Sequence, residues 1–531
     1  MRLRRLSALF LAAALAATST GAAAEKPAKV AKTGSAAAAS PLTADVDAAL
    51  KRISADSLRG HLSFLSSDLL EGRGTPSRGL DLAAEYIAAQ FRRAGLEAVG
   101  DDGYFQTANW QFAEHKMDEF ALTLGNGKDS VRVAPKHVSF NLGQGMDVAQ
   151  TGFVKLDFKT EQPLDGHGAA TVGGKVVVID GLPNLKALSQ EEALAARKRQ
   201  RALIAMLAGF KPALILALDR HNGEGDAGGN GRLIDPAIRG AQAQAEVPML
   251  TVHAADAIAL LGGADAAGTA GTSVALHLAA PAERAVKLRN VVGVLRGSDP
   301  VLKDTYVMVT AHYDHLGMRD GVIYNGANDD GSGTVSVVEI AEALAGLKQR
   351  PKRSIVFMTV FGEERGLLGS RYYGRNPIFP IAQTVANVNL EQIGRTDSSE
   401  GPQLNNASMT GIDFSDVGAT FQRAGKLTGI NVYKHAVNSD RYFSQSDNQA
   451  LADQGVPAHT LCVAFAFPDY HGADDHWQKI DYANMAKVSR MVALGIVMIA
   501  QNPVAPKWDA SNAHTKPYIE AWRKQHGAAA N

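Results

Sequence analysis

The feature that most constrains this fold is a set of short apolar runs in the second half of the chain. These runs alternate with segments of helical periodicity, such as Thr334 to Leu347 and Asn484 to Gln501. Nearly continuous Val, Ile, Phe and Met runs between amphipathic helices are typical of a sheet covered on both faces. The sequence therefore predicts an α/β fold with a mixed, largely parallel sheet sandwiched by helices. The predicted strands are Tyr306 to Thr310, Ser354 to Val360, Val385 to Leu390 and Val456 to Ala464.

The middle of the chain, residues 136–285, has a different character. Two strand-like runs, Lys175 to Ile179 and Ala213 to Ala217, flank a charged, Ala-rich helical segment from Glu191 to Phe210. No cluster of His, Asp and Glu occurs in this stretch of the sequence. We expect residues 136–285 to form an inserted, smaller α/β domain without chemistry of its own.

The N-terminus has the order of a secretory signal peptide. Three arginines precede an apolar run from Leu6 to Ala17, and small residues then lead to an A-x-A-like site ending at Ala24. We therefore expect a signal peptide over residues 1–24 and an exported protein, either periplasmic or secreted. Residues 25–41 contain no aromatic side chain and predict a flexible tether. The remaining predicted divisions are 42–135 and 286–505, which form the main domain, and a tail over 506–531.

Charge and cysteine content exclude several classes of partner and fold. Lys plus Arg and Asp plus Glu both number 54, so the net charge gives no indication of nucleic acid or an anionic membrane as partner. The single cysteine, Cys462, cannot form an internal disulfide and is expected to be a buried small side chain. The apolar run Met491 to Ala500 is too short to span a bilayer, so no membrane span is expected in the mature chain.

Three of the predicted strands end on side chains that can bind metal. The first runs into His312 and Asp314, the second into Glu363 and Glu364, and the third into Glu391. Open α/β sheets bind ligands beyond the carboxyl ends of their strands, so these groups should converge.

Each motif also has a structural interpretation when it is taken alone. The loop Asn325 to Gly333, which contains Asp329 and Asp330, could be a turn with an Asp helix cap. The pair His312 and Asp314 could be an ordinary surface pair, the adjacent glutamates a solvated charge pair, and His471 a structural histidine. Together, however, two histidines and at least three carboxylates match a two-metal hydrolytic site, in which one carboxylate bridges the metals and another serves as base.

The chain resembles the zinc exopeptidases that include secreted bacterial leucine aminopeptidases and, more distantly, glutamate carboxypeptidase. The resemblance covers most of the mature chain, including an N-terminal segment from Leu62 to Gly103 with SSDLLEGR. The middle insertion resembles a protease-associated domain. The strongest stretches are AHYDHLG, IYNGANDDGSG, FGEERGLLGS, NVNLEQIGR, SDNQALADQGVPA and YHGADDHWQKID.

This resemblance implies two zinc ions per chain and a role for each site residue. His312 and Glu391 would hold one zinc, Glu364 and His471 the other, and Asp329 would bridge them. Asp314 would orient His312, Glu363 would be the general base, and Tyr470 could donate to the developing oxyanion. Two positions depart from the family pattern. Glu391 stands where many members carry Asp, and Asn448 stands where many carry His.

The implied activity is that of a metallo-aminopeptidase acting on peptides through a water activated by two zinc ions and a glutamate base. Two alternatives stay open on the sequence alone. One is a carboxypeptidase or amidohydrolase on the same two-zinc core, which a basic pocket for the substrate carboxylate would favour. The other is a non-catalytic, receptor-like binding protein, which would be expected to lose metal ligands.

Overall fold

The structure, a computed structural model, describes residues 40–527 except positions 141, 143, 186, 189, 222–230, 241–247, 264–271 and 320. The predicted signal peptide, nearly all of the predicted tether and residues 528–531 of the predicted tail lie outside these described residues.

The strands, in chain order, are β1 (Glu97–Ala98), β2 (Phe105–Glu114), β3 (Ala121–Asn126), β4 (Ser130–Val133), β5 (Val138–Phe140), β6 (Met146–Thr151), β7 (Phe153–Asp157), β8 (Val176–Asp180), β9 (Leu214–Leu218), β10 (Arg232–Ile234), β11 (Met249–Val252), β12 (Thr272–Leu278), β13 (Ala282–Leu295), β14 (Tyr306–His312), β15 (Gly317–Arg319), β16 (Val322–Tyr324), β17 (Ser354–Val360), β18 (Thr384–Leu390), β19 (Asp397–Ser398), β20 (Gly401–Pro402), β21 (Asn406–Met409), β22 (Asn431–Tyr433) and β23 (Ala458–Cys462).

The α-helices described by the structure, in chain order, are α1 (Ala44–Leu50), α2 (Ala55–Leu65), α3 (Arg78–Arg93), α4 (Ala169–Val172), α5 (Gln190–Phe210), α6 (Ala255–Gly262), α7 (Gly333–Ala345), α8 (Leu368–Arg375), α9 (Asp416–Thr428), α10 (Asn438–Arg441), α11 (Asn448–Ala452), α12 (Tyr482–Gln501) and α13 (Lys516–His526).

The main sheet has ten strands in the order β10-β2-β13-β17-β14-β18-β23-β21-β22, with β1 paired to β13. Its centre, β17-β14-β18-β23, is parallel, and β13 and β21 flank this centre with antiparallel pairing. The predicted α/β class with a mixed sheet is thus confirmed, and all four predicted strands lie in the parallel centre. Because the four central strands run in one direction, their carboxyl ends meet at one edge of the sheet.

Helices cover both faces of this sheet, and alternate residues of the central strands point into two separate cores. Val307, Val309 and Ala311 of β14 pack on one face, where α1, α2, α3, α7 and α12 contribute buried residues. Met308 and Tyr306 of the same strand pack on the other face, with α8 and α11. A parallel strand buried on both faces has no polar side, which explains the continuous apolar runs seen in the sequence.

Helix α12 is long and apolar enough to cross a membrane, judged by its length and composition alone. It has 20 residues, and 78% of its most apolar window is buried inside the protein. The Asp481 side chain accepts a hydrogen bond from the Asn484 amide at its start, and the helix then packs on α9 and α2. A core helix of a folded domain has the same length and composition, so these two properties alone are weak evidence for a membrane span.

Two smaller sheets lie in the middle of the chain. A five-stranded sheet has the order β5-β11-β9-β8-β7, and a four-stranded sheet has the order β4-β3-β12-β6. Their strands share a buried apolar cluster that includes Leu122, Val176, Leu216 and Leu276. One strand of this region, β10, pairs instead with β2 in the main sheet. The inserted domain over 136–285 stays a prediction, and the four-stranded sheet also includes β3 and β4, which precede residue 136.

Candidate metal centre

Three strand ends bring the expected side chains to one edge of the main sheet. His312 is the last residue of β14, which pairs with β17 on one side and β18 on the other. Gly362 follows β17 with a φ of 68°, a left-handed conformation that glycine adopts without strain, and turns the chain so that Glu363 and Glu364 follow at once. Glu391 follows β18 directly. The predicted convergence of strand-end side chains therefore occurs in the structure.

The glycine-rich loop before α7 forms a turn and also contains Asp329, one of the predicted metal-binding residues. Asp330 Oδ1 accepts a hydrogen bond of 3.0 Å from the first amide of α7, much as a helix cap would. Asp329 instead points to the strand ends. The carboxylate of Asp475 fixes this loop, because it accepts hydrogen bonds from the amides of Asn328 at 2.9 Å and Asp329 at 3.1 Å.

The two oxygens of Asp329 face two different histidines. Asp329 Oδ1 lies 3.4 Å from His312 Nε2, and Asp329 Oδ2 lies 3.2 Å from His471 Nε2. Glu364 Oε2 lies 3.3 Å from the same His471 atom. Ligand atoms about 2.0–2.2 Å from a tetrahedral zinc ion lie about 3.3–3.6 Å from one another. These distances therefore suit two neighbouring zinc positions that share Asp329.

Three of these side chains also have a buried polar atom that forms no hydrogen bond within the described part of the chain. His312 Nε2, Asp329 Oδ2 and Glu364 Oε1 are buried without a hydrogen-bond partner among the described residues. Leaving buried charged and polar atoms unpaired is costly, and a divalent cation would satisfy them. One group able to hold an ion consists of His312, Asp329 and Glu391, and a second consists of His315, Asp329 and Glu364, each with ligand atoms within 4.8 Å. The residues present thus fit zinc, which takes imidazole and carboxylate ligands.

Asp314 supports the centre in two directions. Its carboxylate lies 3.6 Å from His312 Nδ1, whereas its backbone carbonyl lies nearer to that nitrogen, at 3.1 Å. The carboxylate also accepts hydrogen bonds from the amide of Glu363 at 3.0 Å and from the hydroxyl of Thr75 at 3.2 Å. Asp314 is therefore placed to fix both the ring of His312 and the turn that carries the glutamates.

The ionisable side chains of the cluster differ widely in pKa. Burial raises the pKa of Glu391 to about 7. Burial would also raise the pKa of Glu364, but its contacts with His315 and His471 hold it at about 2. Partial burial would lower the pKa of His471, yet Asp329 and Glu364 raise it to about 10. Protons thus neutralise this carboxylate cluster, and a divalent cation would compete with them for the same atoms.

A pocket opens onto these carboxylates. Tyr470 is 47% exposed, and its ring stacks on that of His471 with centroids 4.1 Å apart. Partial burial and the nearby carboxylates raise the pKa of Tyr470, so the hydroxyl stays protonated and able to donate. His471 itself has a left-handed φ of 53°, a strained conformation often found at functional sites. The lining consists of Asp329, Glu363, Glu391, Gln392, Thr410, Tyr442, Gln445, Ser446, Thr460, Cys462, Phe465, Tyr470 and His471.

The position that departs from the family pattern beside this pocket has a packing role. Asn448 is fully buried, donates to the carbonyl of Phe443 at 2.9 Å and accepts from the hydroxyl of Thr460 at 2.8 Å. Ser446, two residues earlier, accepts a hydrogen bond from Asn389 at 2.9 Å and lines the pocket. Cys462 is buried, as the sequence predicts, and its thiol also reaches the pocket lining.

Sequence reasoning missed three residues of the centre. His315, Asp475 and Arg73 are all buried next to the loop that carries Asp329. All three lie inside the motifs AHYDHLG, YHGADDHWQKID and SSDLLEGR, but nothing in their spacing sets them apart from their neighbours. A second histidine one residue after Asp314 was the only available signal.

Comparison with known proteins agrees with this geometry. Residues 290–496 match the family model of peptidase family M28. In fold, the chain is similar to an aminopeptidase from Aneurinibacillus sp. strain AM-1, with 19% identity, a TM-score of 0.57 and coverage of 88% of this chain and 97% of that one. A zinc aminopeptidase from Bacillus subtilis gives 16% identity, a TM-score of 0.53 and coverage of 85% and 97%.

Curated relatives match over shorter stretches. A probable zinc metalloprotease of Leptosphaeria maculans is 39% identical over 120 residues, which is 22% of this chain and 27% of the relative. Another, from Pyrenophora teres f. teres, is 26% identical over 250 residues, which is 42% of this chain and 50% of the relative. The chain thus spans half or less of the length of these two relatives.

These comparisons overturn the predicted location. The relatives named for a location are vacuolar membrane proteases: one from Verticillium alfalfae is 38% identical over 88 residues, which is 17% of this chain and 8% of the relative. A second, from Pyricularia oryzae, is 35% identical over 82 residues, 15% of this chain and 8% of the relative. The predicted periplasmic or secreted location is therefore wrong. A basic start followed by an apolar run is typical of a segment that targets a chain to a membrane, but it does not specify which membrane.

Proposed function

We propose that this chain, whose residues 290–496 match the family model of peptidase family M28, is a two-zinc aminopeptidase that acts on peptides. The observation that carries the proposal is the carboxylate of Asp329, whose two oxygens face His312 and His471 at 3.4 and 3.2 Å. His312 and Glu391 would hold one zinc, and Glu364 and His471 the other. Bound zinc would supply a Lewis acid that polarises the scissile carbonyl and lowers the pKa of water.

Glu363 is the proposed general base. Its carboxylate lines the pocket and lies 4.0 Å from His312 Nε2, farther than the ligand distances around Asp329. Burial and the neighbouring Glu391 and Asp447 raise the pKa of Glu363 well above its ordinary value. A carboxylate with a raised pKa accepts a proton from the attacking water more readily and returns it to the leaving amine.

Tyr470 and Asp314 have supporting roles in the proposal. The Tyr470 hydroxyl stays protonated beside the pocket and can donate to the oxyanion as charge develops on it. Asp314 holds the His312 ring and the Glu363 amide through the contacts described above. The base and the ligands are thereby kept in fixed positions relative to one another.

The pocket lining favours an aminopeptidase over a carboxypeptidase. Three carboxylates, those of Asp329, Glu363 and Glu391, face the pocket, and no Lys or Arg occurs in the lining formed by the described residues. A substrate with a C-terminal carboxylate requires a basic partner, which the described lining does not offer, whereas a free peptide N-terminus does not require one. The alternative of a non-catalytic binding protein is disfavoured because every ligand position and the proposed base are filled.

A panel of peptide substrates tests the activity. Peptides with a free N-terminus should be cleaved, their N-acetylated counterparts should not, and a chelator should abolish cleavage until zinc is added back. Metal analysis should find about two zinc ions per chain, as two neighbouring positions imply. Equal rates on acetylated and free peptides would contradict the aminopeptidase assignment, and chelator-resistant cleavage would contradict the metal.

The middle segment, residues 136–285, is proposed to contribute no catalytic group. Among the described residues, the groups that could hold a metal all lie outside this segment. Alanine substitution of its polar residues should therefore leave the rate constant of a small aminoacyl substrate unchanged. A tenfold loss from such a substitution, without loss of folding, would contradict this proposal.

A further inference from the structure

His315 is a fully buried histidine that the proposed ligand set does not use. Its side chain has no exposed surface, and its ring packs against the backbone of Gly326. Gly326 has a left-handed φ of 55°, and a Cβ there would lie only 2.3 Å from the ring. The backbone of Gly326 thus holds the ring in one place, and only glycine adopts this backbone conformation so close to the ring without strain.

The ring of His315 faces Glu364. His315 Nδ1 lies 2.9 Å from Glu364 Oε1, off the ideal direction for a formed hydrogen bond. Neither ring nitrogen has another hydrogen-bond partner among the residues that the structure describes. The other oxygen of the same carboxylate, Oε2, lies 3.3 Å from His471 Nε2. Glu364 therefore lies between two histidines and presents one oxygen to each.

The two contacts of Glu364 differ in a way that separates their roles. The 3.3 Å distance to His471 suits two ligands of one zinc ion, which lie about 3.3–3.6 Å apart. The 2.9 Å distance to His315 is shorter than that and is the length of a hydrogen bond. We infer that His315 is a positioning residue: its Nδ1–H holds Glu364 Oε1, so that Oε2 is directed to the zinc position shared with His471. This inference rests on the proposed function.

Loss of this contact has a defined consequence. Without a donor at Nδ1, the buried Oε1 has no partner, and Glu364 is free to rotate away from His471. Residues that orient metal ligands typically contribute 10–100-fold to metal affinity. The effect should be strongest at the zinc position formed with His471, because Glu364 is a proposed ligand of that zinc alone.

Two substitutions of His315 and one matched control test the inference. His315→Leu removes the donor and keeps much of the volume, whereas His315→Asn places an amide N–H near the position of Nδ1. The control is His459→Leu, because His459 is also a fully buried histidine with a hydrogen-bonded ring, its Nε2 lying 2.6 Å from the Ser415 hydroxyl, and it is in none of the groups of described residues able to hold a metal ion. Each metal-free protein is titrated with zinc, and its thermal unfolding is followed in parallel.

We expect His315→Leu to lower the affinity for one of two zinc ions by about 10–100-fold. His315→Asn should recover most of that affinity. His459→Leu should lower the melting temperature and leave both zinc affinities unchanged. If His315→Leu does not fold, His315→Gln replaces it, because its longer side chain carries the amide beyond the Nδ1 position.

Three outcomes would overturn the inference. Wild-type zinc binding by His315→Leu would show that the ring does not position Glu364. Equal weakening by the Leu and Asn variants would show that the Nδ1 donor is not the cause. Absence of zinc binding by the wild-type protein would reject the proposed function as well, and so is distinguishable from the first two results.

Discussion

Two adjacent glutamates should fail in different ways when each is changed to glutamine. Glu363 and Glu364 follow the same strand, yet their carboxylates have different neighbours. Glu364 Oε2 lies 3.3 Å from His471 Nε2, whereas Glu363 lines the pocket and lies 4.0 Å from His312 Nε2. The structure therefore gives the proposed ligand and the proposed base different surroundings at a single strand end.

Glu363→Gln removes a proton acceptor and preserves size. If Glu363 is the base, zinc content should stay near that of the wild type. The catalytic rate should fall by roughly 10²–10⁴, the usual contribution of general base catalysis. This range corresponds to about 3–5 kcal/mol of activation free energy. Asp314 accepts a hydrogen bond from the Glu363 amide, which does not depend on the side chain, so the turn should keep its geometry.

Glu364→Gln replaces an anionic ligand with a neutral one. The contacts to His315 and His471 at 2.9 and 3.3 Å would both lose their charge. Zinc affinity should fall first, and added zinc should restore part of the activity because mass action refills a weakened site. The residual rate at saturating zinc should be closer to the wild-type rate than that of Glu363→Gln.

Zinc content and the rate at increasing zinc concentrations are measured for both variants. Glu97→Gln is a matched control, because Glu97 lies on β1 in an exposed pair with Arg296, outside the groups of described residues able to hold a metal ion, and should change neither quantity. If Glu363→Gln were the variant that loses zinc and recovers with added metal, the two assignments would be reversed and the distance argument refuted.

Three further predictions concern stability. Removing zinc should lower the melting temperature, since a ligand at 100 times its Kd contributes about 2.7 kcal/mol; an unchanged melting temperature would argue against bound metal. Arg73→Met should lower the free energy of unfolding in denaturant by about 3–5 kcal/mol, because Arg73 is buried and donates to the carbonyls of Leu65, Tyr313, Asn325 and Gly326; a loss below 1 kcal/mol would contradict this. Burial lowers the pKa of His459 from 6.5 to about 4, so the unfolded chain binds the proton more readily between these values. Stability should fall by about 3 kcal/mol as the pH drops through that window, and His459→Gln should remove this component from the unfolding curves.

The sequence predicted the strands of the sheet centre well, for a physical reason. A parallel strand covered on both faces must be apolar throughout, and that composition is visible without a structure. The predicted Ser354 to Val360 coincides with β17, and Val385 to Leu390 lacks only the first residue of β18. The predicted run Val456 to Ala464 is longer than β23, which is Ala458–Cys462, because its apolar end residues are buried although they lie outside the strand.

The flanks of the sheet could not be predicted in the same way. The long strand β13, from Ala282 to Leu295, begins with exposed charged residues and becomes buried only toward its end. Its early part pairs with β2, some 170 positions earlier in the chain, so its strand character depends on a distant partner. The local sign of this strand is a short alternation of apolar and charged residues from Val286 to Arg289.

The same distinction between local composition and distant contacts explains which residues of the candidate site could be predicted from the sequence. A metal ligand at a strand end stands out because its residue type contrasts with the apolar run before it. A residue whose side chain forms hydrogen bonds with a distant part of the backbone does not stand out from its neighbours in the sequence in this way. Asp475 contacts the amide of Asp329 across 146 positions, and Arg73 reaches the carbonyl of Tyr313 across 240 positions. Because these supports hold the loops that carry Asp329 and Asp314, they fix the distances between the two histidines and the shared carboxylate. The ligands determine that the site can bind metal, and the supports determine whether the site is formed before metal arrives.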